Sequence, residues 1–250
     1  MSRPTAAMIV VGDEILSGRT RDSNMHHLAG RLTAHGIDLA EVRVVSDRKD
    51  AIVAAVRALA QAHDHVFTSG GIGPTHDDVT ADAVAAALDL PIGVRDDARR
   101  ILAERYDAMG IELNDARLRM ARIPEGATLI ENPVSAAPGF SAGNVHVMAG
   151  VPKIFEAMVA GLLPRLSGGA PLVSRTLLVQ RGGDVALALD AAQAAHPHLS
   201  VGSYPSQRPD GAFEVRVVVR GPDADELDAV LAALRDELGT GECLPEGHPG

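Results

Sequence analysis

The stretch "TSGGIGPTHDDVT", Thr68 to Thr80, decides how this chain is read. It follows the short apolar run "HVF" and precedes the alanine-rich helical pattern "ADAVAAAL". Gly70, Gly71 and Gly73 allow backbone angles that other residues avoid and let a ligand approach the main chain. The helix beyond them offers unpaired N–H groups and a positive dipole end, a setting for phosphate. Asp77 and Asp78 would repel a phosphate unless a cation sits between. A helix cap uses one residue, so two carboxylates behind three glycines point to a ligand site rather than a plain turn. The glycine spacing matches neither G-x-G-x-x-G nor a Walker loop with its G-K-[ST], which excludes a triphosphatase of that class.

Strand and helix patterns alternate on both sides of this stretch. "AAMIVVG", "IDLAEVRVVSD" and "DHVFTSG" read as strands, "DSNMHHLAGRLTAHG" and "RKDAIVAAVRALAQAH" as helices, and "DDVTADAVAAALDL" as a third helix. "DDARRILAERYDAMG" and "NDARLRMARIP" read as a helical pair. "ATLIENP" and "NVHVMAG" follow as short strands, and "PKIFEAMVAGLLPRL" as a closing helix. The alternation predicts an α/β fold, a parallel sheet covered by helices on both faces. Composition breaks at "SGGAP", Ser167 to Pro171. Beyond it a β-α-β-β-α order predicts a small α+β domain. The expected organisation is a first domain over 1–167, a second over 172–240, and a flexible tail over 241–250.

Bulk properties narrow the function. The chain has 250 residues, 46% hydrophobic and 2% aromatic, so its core is built from Val, Leu, Ile and Ala. A formal net charge of −10 argues against a nucleic-acid partner, which would need clustered Lys and Arg. Cys243 is the single cysteine, which fits a reducing compartment. No apolar run approaches a bilayer span, and the first residues read as a strand rather than a signal peptide. A cytoplasmic protein with no membrane partner is expected.

In an open parallel sheet, ligands bind at the carboxyl ends of the strands. "VVGDEILSGRTRDSN" leaves the first strand, and Gly12 and Gly18 bracket Asp13, Glu14 and Ser17 there, with Asn24 near the next helix start. Asp47 leaves the second strand at the same edge, where it could instead cap a helix. "NPVSAAPGF", with Pro138 and Gly139, and "MAGVPKIFEAM", with Gly150 and Pro152, are two further turns able to close a pocket. The pairs His63/His65 and His26/His27 lack the flanking ligands of a zinc site. Carboxylate ligands point instead to hard ions such as Mg²⁺ or Mn²⁺.

The elements "GDEILSGRTRDSN", "GGIGPTHDDVT", "NPVSAAPGF", "GVP" and "VGSYPS" run in order over residues 8–235. In these the chain resembles the N-terminal region of the competence/damage-inducible protein A family, within the MoaB/Mog-like molybdopterin-binding superfamily. The resemblance implies a three-layer α/β/α domain with a mostly parallel sheet, followed by a small KH-like α+β domain. It also implies a homodimer, and the absence of the amidohydrolase domain of longer members. Laid on the pattern of molybdopterin adenylyltransferases, Asp78 takes the essential loop aspartate's place, and Asp47 a second acidic position. Asp77 stands where another of those enzymes carries Arg, which disfavours adenylyl transfer. Ser135–Ala136 replace a usual Gly-Thr, Ala149 a Pro, and Lys153–Ile154 a Ser-Glu, so substrate choice is expected to differ.

The family's association with nucleotide diphosphate compounds makes a metal-dependent pyrophosphatase, acting on an ADP-ribose- or FAD-like substrate, the leading expectation. Its catalytic candidates are Asp13, Glu14, Asp47 and Asp78. Asp47, Asp77 and Asp78 would hold a divalent cation, Mg²⁺, Mn²⁺ or Co²⁺. Gly12, Ser17, Asn24, Thr68, Ser69, Gly70, Gly71, Ile72, Gly73, Pro74, Thr75, Thr80, Pro138, Gly139, Gly150 and Pro152 are the candidates for holding the nucleotide or pterin. A binding module without turnover and a molybdopterin nucleotidyltransferase are the alternatives.

Overall fold

The computed structural model describes residues 3–179, 185–207, 211, 213–238 and 242–244. The chain divides into two compact units, Met1–Gly169 and Ala170–Gly250. In the first, the order is β1 (Thr5–Val11), α1 (Asp13–Leu16), α2 (Asn24–Ala34), β2 (Asp38–Val45), α3 (Lys49–Ala62), β3 (His65–Ser69) and α4 (Thr80–Ala87). There follow β4 (Ile92–Val94), α5 (Asp96–Ala108), α6 (Asp115–Leu118), β5 (Arg122–Pro124), β6 (Thr128–Ile130), β7 (Gly139–Ala142), β8 (Val145–Met148) and α7 (Pro152–Leu162).

Six of these strands form one sheet in the order β2-β1-β3-β8-β7-β6. The first four are parallel; β7 and β6 join antiparallel. Strand β1 explains the layering. Residues Ala6 to Val11 are all buried, yet successive side chains point to opposite faces. Ala7, Ile9 and Val11 enter a core with Ile52, Val56 and Leu59 of α3 and Val84 of α4. Ala6, Met8 and Val10 enter another with Leu28 and Leu32 of α2 and Phe155 and Val159 of α7. Burying a side chain of Ile9's or Met8's size contributes about 1.5–3 kcal/mol, so a polar residue in β1 would have no tolerant side. The result is a three-layer α/β/α unit.

Local signals fix the helix ends. Gly36 takes φ +78° after α2. Its N–H reaches Thr33 O at 3.1 Å and that of Ile37 reaches Leu32 O at 2.9 Å, the paired bonds of a Schellman stop. Two segments depart from the sequence reading. "NDARLRMARIP" is helical only over α6 and a 3₁₀ turn, Arg119–Ala121; Arg122–Pro124 then pairs with β4. Pro124 cannot continue a helix, and Ile123 buries itself as a strand residue. Strand β7 begins inside what reads as a Pro/Gly turn. Gly139 permits this, because a Cβ there would strike Val147 O and the Met158 methyl.

The second unit runs β9 (Val173–Val179), α8 (Val185–Ala195), β10 (Ser200–Gln207), β11 (Phe213–Gly221), α9 (Ala224–Leu238) and β12 (Glu242–Leu244). Its sheet has the order β10-β11-β9-β12, all antiparallel. Val215, Val217 and Val219 alternate inward from β11 against Val185 and Leu189 of α8 and Leu227, Val230 and Leu234 of α9. Within the span read as a tail, Glu242–Leu244 pairs with β9 as an edge strand, and the remaining tail lies outside the described residues.

Candidate functional site

Strand order places the site. The chain leaves β1 through α2 to reach β2, then returns through α3 to β3 on the other side of β1. The carboxyl ends of β1 and β3 therefore flank a topological switch point, where open α/β sheets bind ligands. Val10 and Ser69 are register partners at that edge.

The glycine loop is built by close approach. Gly70 takes φ +107°, and a Cβ on it would collide with the carbonyl oxygen of Val11. Gly71 takes φ +69°, and the space its Cβ would need is filled by the Thr80 hydroxyl. That hydroxyl donates to Gly70 O at 2.9 Å, and the Thr80 N–H donates to Gly71 O at 3.0 Å. Thr80, buried at the start of α4, thus fastens the loop. Among the described residues the N–H groups of Gly71, Ile72 and Gly73 donate to no backbone carbonyl. A second loop lies against the first: a Cβ on Gly150 would come within 3.1 Å of the Gly70 Cα.

The carboxylates are placed for something other than capping. Asp47 accepts the Asp13 N–H through Oδ2 at 2.8 Å, and the first turn of α3 has no side-chain cap. Burial pushes the Asp47 carboxyl above its usual range, and the charges of Asp13, Glu14 and Asp77 push it further; the Asp13 N–H acts in the opposite direction. Asp78 Oδ2 accepts both the N–H and the hydroxyl of Thr75, the former at 2.8 Å, so it closes the loop rather than capping α4. Asp22 does cap, accepting the Met25 N–H at 2.9 Å.

The opposite wall is organised by two asparagines. Asn24 is buried and donates to Ser69 Oγ and Gly150 O, both at 2.7 Å, joining α2 to β3 and to the second loop. Its Oδ1 is buried without a protein partner. Asn132 donates to Ser135 Oγ at 2.7 Å and Ala137 O at 2.8 Å, and accepts from the N–H groups of Val134 and Ser135. Ala136, in this turn, has φ +67°, a strained value for a residue with a Cβ.

Together these walls enclose a cleft of about 510 Å³. Glu14, Asn24, Asp47, Ser69, Gly70, Gly71, Ile72, Gly73, Pro74, Asp77, Asp78 and Gly150 line it. Gly12, Asp13, Thr68, Thr75, Thr80, Gly139 and Pro152 stand outside that lining. Of these, Asp13, Thr75 and Thr80 bond to the groups that shape it, and Pro152 opens α7. Ser17 is exposed and bonds to Glu14 O and Arg19, and Pro138 lines a small neighbouring hollow with Arg119 and Arg122. Asp22, Met120, Asn132 and Ser135 also line the cleft; the sequence reading named Ser135 as a departure expected to alter substrate choice, and did not single out the other three as site residues. Asn132 and Ser135 carried a signal, since both sit in the quoted Pro/Gly turn; Met120, in a mispredicted helix, carried none. Among the described residues no Lys or Arg lines the cleft.

Comparison with known proteins agrees with this architecture. Residues 7–168 match the family model described as a probable molybdopterin binding domain. Residues 171–246 match that of the FAD synthase middle domain. A "CinA-like protein" of Myxococcus xanthus is 32% identical over 93% of this chain, and the chain spans 59% of that protein's length. A protein of Pyrobaculum calidifontis is 34% identical over 93% of this chain and 94% of its own. The crystal structure of the protein CinA with unknown function from Thermoplasma acidophilum is 37% identical, covers 65% of this chain and 97% of its own, and superposes with a TM-score of 0.60. Over its first unit, then, the chain belongs to the probable molybdopterin binding domain family and is similar to the CinA structure, and its second unit matches the FAD synthase middle domain.

Proposed function

We propose that the first unit binds a nucleotide diphosphate compound of the ADP-ribose or FAD class and hydrolyses its pyrophosphate. One observation carries this reading: a glycine loop with free N–H groups faces a cleft rich in carboxylates and, among the described residues, without a basic side chain. The N–H groups of Gly71, Ile72 and Gly73 would hold phosphate oxygens, as backbone nests do. Glu14 also lines the cleft and would orient an attacking water. Water adds to one phosphorus and gives up a proton to solvent, the bridging P–O bond breaks, and the leaving phosphate takes the electron pair.

The residues present suit a hard divalent cation. Their donors are all oxygen; burial is the main cause of the raised Asp47 pKa, and the neighbouring charges of Asp13, Glu14 and Asp77 add to it, a negative field that a cation relieves. The carboxylates of Asp47, Asp77 and Asp78 do not all come within 4.8 Å of one another, so one or two of them would hold it; when bound, the ion neutralises transition-state charge and lowers the pKa of the attacking water. Mg²⁺-class ions need only one or two carboxylates when substrate phosphates and waters complete the shell.

The test is release of AMP from ADP-ribose, FAD and NAD, with and without Mg²⁺, Mn²⁺ or Co²⁺. Asp78→Asn keeps an acceptor for Thr75 and removes the charge, so it should fold and lose turnover by several powers of ten. Wild-type turnover by that variant would sink the assignment. A second reading rests on the buried, unpartnered Asn24 Oδ1, a fixed acceptor for a ligand N–H or O–H. On that reading the cleft holds a pterin or nucleotide without turnover, and tight binding with no product would select it. Nucleotidyl transfer would instead require ATP and a pterin acceptor.

A further inference from the structure

The second unit carries a different constellation. His196 and His198 sit in the turn between α8 and β10, and Glu226 lies in the first turn of α9. The Nδ1 of His196 lies 3.0 Å from Glu226 Oε1, and the Nε2 of His198 lies 3.0 Å from both Glu226 oxygens. One ligand atom from each residue falls within 4.8 Å of the other two. Among the described residues this is the group of three or more His, Cys, Asp or Glu that meets that condition.

His196 and Glu226 are held by bonds that do not involve the cluster. Gln193 donates to His196 O at 3.1 Å and Leu199 O at 2.8 Å, and its Oε1 accepts the Val201 N–H at 3.1 Å. Pro197 stiffens the turn between the two histidines. Asp223 caps α9 by accepting the N–H groups of Asp225 and Glu226 at 2.9 and 3.2 Å. The two rings stand at 61° with centroids 6.2 Å apart, so they approach the carboxylate from different directions.

We propose that His196, His198 and Glu226 form a metal site for a borderline divalent ion of the zinc class, separate from the carboxylate cleft of the first unit. Two imidazoles and one carboxylate select zinc, cobalt or nickel over magnesium. Zinc–ligand bonds of about 2.0–2.2 Å set tetrahedral ligand atoms roughly 3.3–3.6 Å apart. The present 3.0 Å separations reach that by opening a few tenths of an ångström. The His198 side chain is 56% exposed, which leaves a fourth position to water. Bound metal would tie the 196–199 turn to the start of α9.

Equilibrium dialysis of the full chain against micromolar zinc in excess Mg²⁺ tests this, with visible absorption of the Co²⁺ form as a second readout. The expected result is one zinc per chain, with affinity lowered at least about tenfold in His198→Gln and in Glu226→Gln. Asp78→Asn should leave zinc binding unchanged, which separates this site from the proposed pyrophosphatase. No retained zinc, or equal retention by wild type and both variants, would overturn the proposal.

Discussion

The backbone N–H of Asp13 donates to the carboxylate of Asp47 at 2.8 Å, joining the chain just past β1 to the chain just past β2. Asp47 is thereby aimed across the strand ends and away from the helix it precedes in sequence. Its carboxylate sits among Asp13, Glu14 and Asp77, an arrangement that works against the ionised form.

Asp47→Asn tests whether that strain serves the ligand. The folded-state pKa is raised, so at neutral pH the charge costs stability, and the cost grows as pH rises through that pKa. Asparagine keeps an acceptor for the Asp13 N–H and removes the charge. The variant is expected to melt about 1 °C higher, the change following from a fraction of a kcal/mol. It should also lose divalent-ion-dependent AMP release by about a hundredfold. A lower melting temperature with full activity would show the carboxylate to be structural.

The glycine loop calls for a paired comparison. Gly71 and Gly126 both have positive φ, +69° and +76°, but only Gly71 lacks room for a Cβ. Gly126→Ala meets nothing within 4 Å and should cost only the left-handed backbone, about 1 kcal/mol. Gly71→Ala must also displace the Thr80 hydroxyl and its bond to Gly70 O, for roughly 2–4 kcal/mol in total. Nucleotide affinity measured by calorimetry should fall with Gly71→Ala and stay level with Gly126→Ala. Equal effects would mean that the loop is shaped by φ alone.

Ala136 offers the opposite sign. Its φ of +67° costs about 1 kcal/mol that glycine would not incur, offset in part by glycine's larger unfolded-state entropy. Ala136→Gly is therefore expected to stabilise the first unit by about 0.5 kcal/mol in denaturant titrations. A destabilised variant would show that the Ala136 methyl is packed by the turn that Asn132 staples.

Legibility in the sequence followed the range of each interaction. Gly70, Gly71 and Gly73 were readable because a backbone requirement is met by one residue type at one place. The layers were readable because β1 is apolar at every position from Ala6 to Val11, as a strand buried on both faces must be. Asp47 was ambiguous: a helix cap and a site carboxylate look alike until Asp13, 34 residues away, supplies the partner. Strand β7 was hidden because its reason is β8 alongside it, not its own composition. The pairing of His196 with Glu226 spans 30 residues and left no mark in either local segment.

His146 supplies the acid limb of stability. It is buried in β8 between the Ser141 hydroxyl, 2.9 Å from Nδ1, and His65 Nδ1, 3.3 Å from Nε2, with the Phe67 ring centroid 5.0 Å away. Burial, first, and then the nearby His65 and Arg165 charges lower its pKa from 6.5 to about 3. His65 is also lowered, chiefly by burial. A group whose folded pKa is depressed contributes fully above its unfolded pKa and loses that contribution as pH falls toward the folded value. Between pH 7 and pH 5 the unfolded chain takes up a proton that folded His146 refuses, which costs about 2 kcal/mol. Denaturant midpoints at both pH values, for wild type and His146→Leu, measure it. Each protein serves as its own reference, so the altered packing of the variant cancels. The wild-type loss on acidification should exceed that of the variant by about 2 kcal/mol, the remainder in the variant belonging to His65 and the carboxylates. Equal losses in the two proteins would mean that His146 accepts its proton without unfolding, through a rearrangement that opens the Ser141–His146–His65 chain to water.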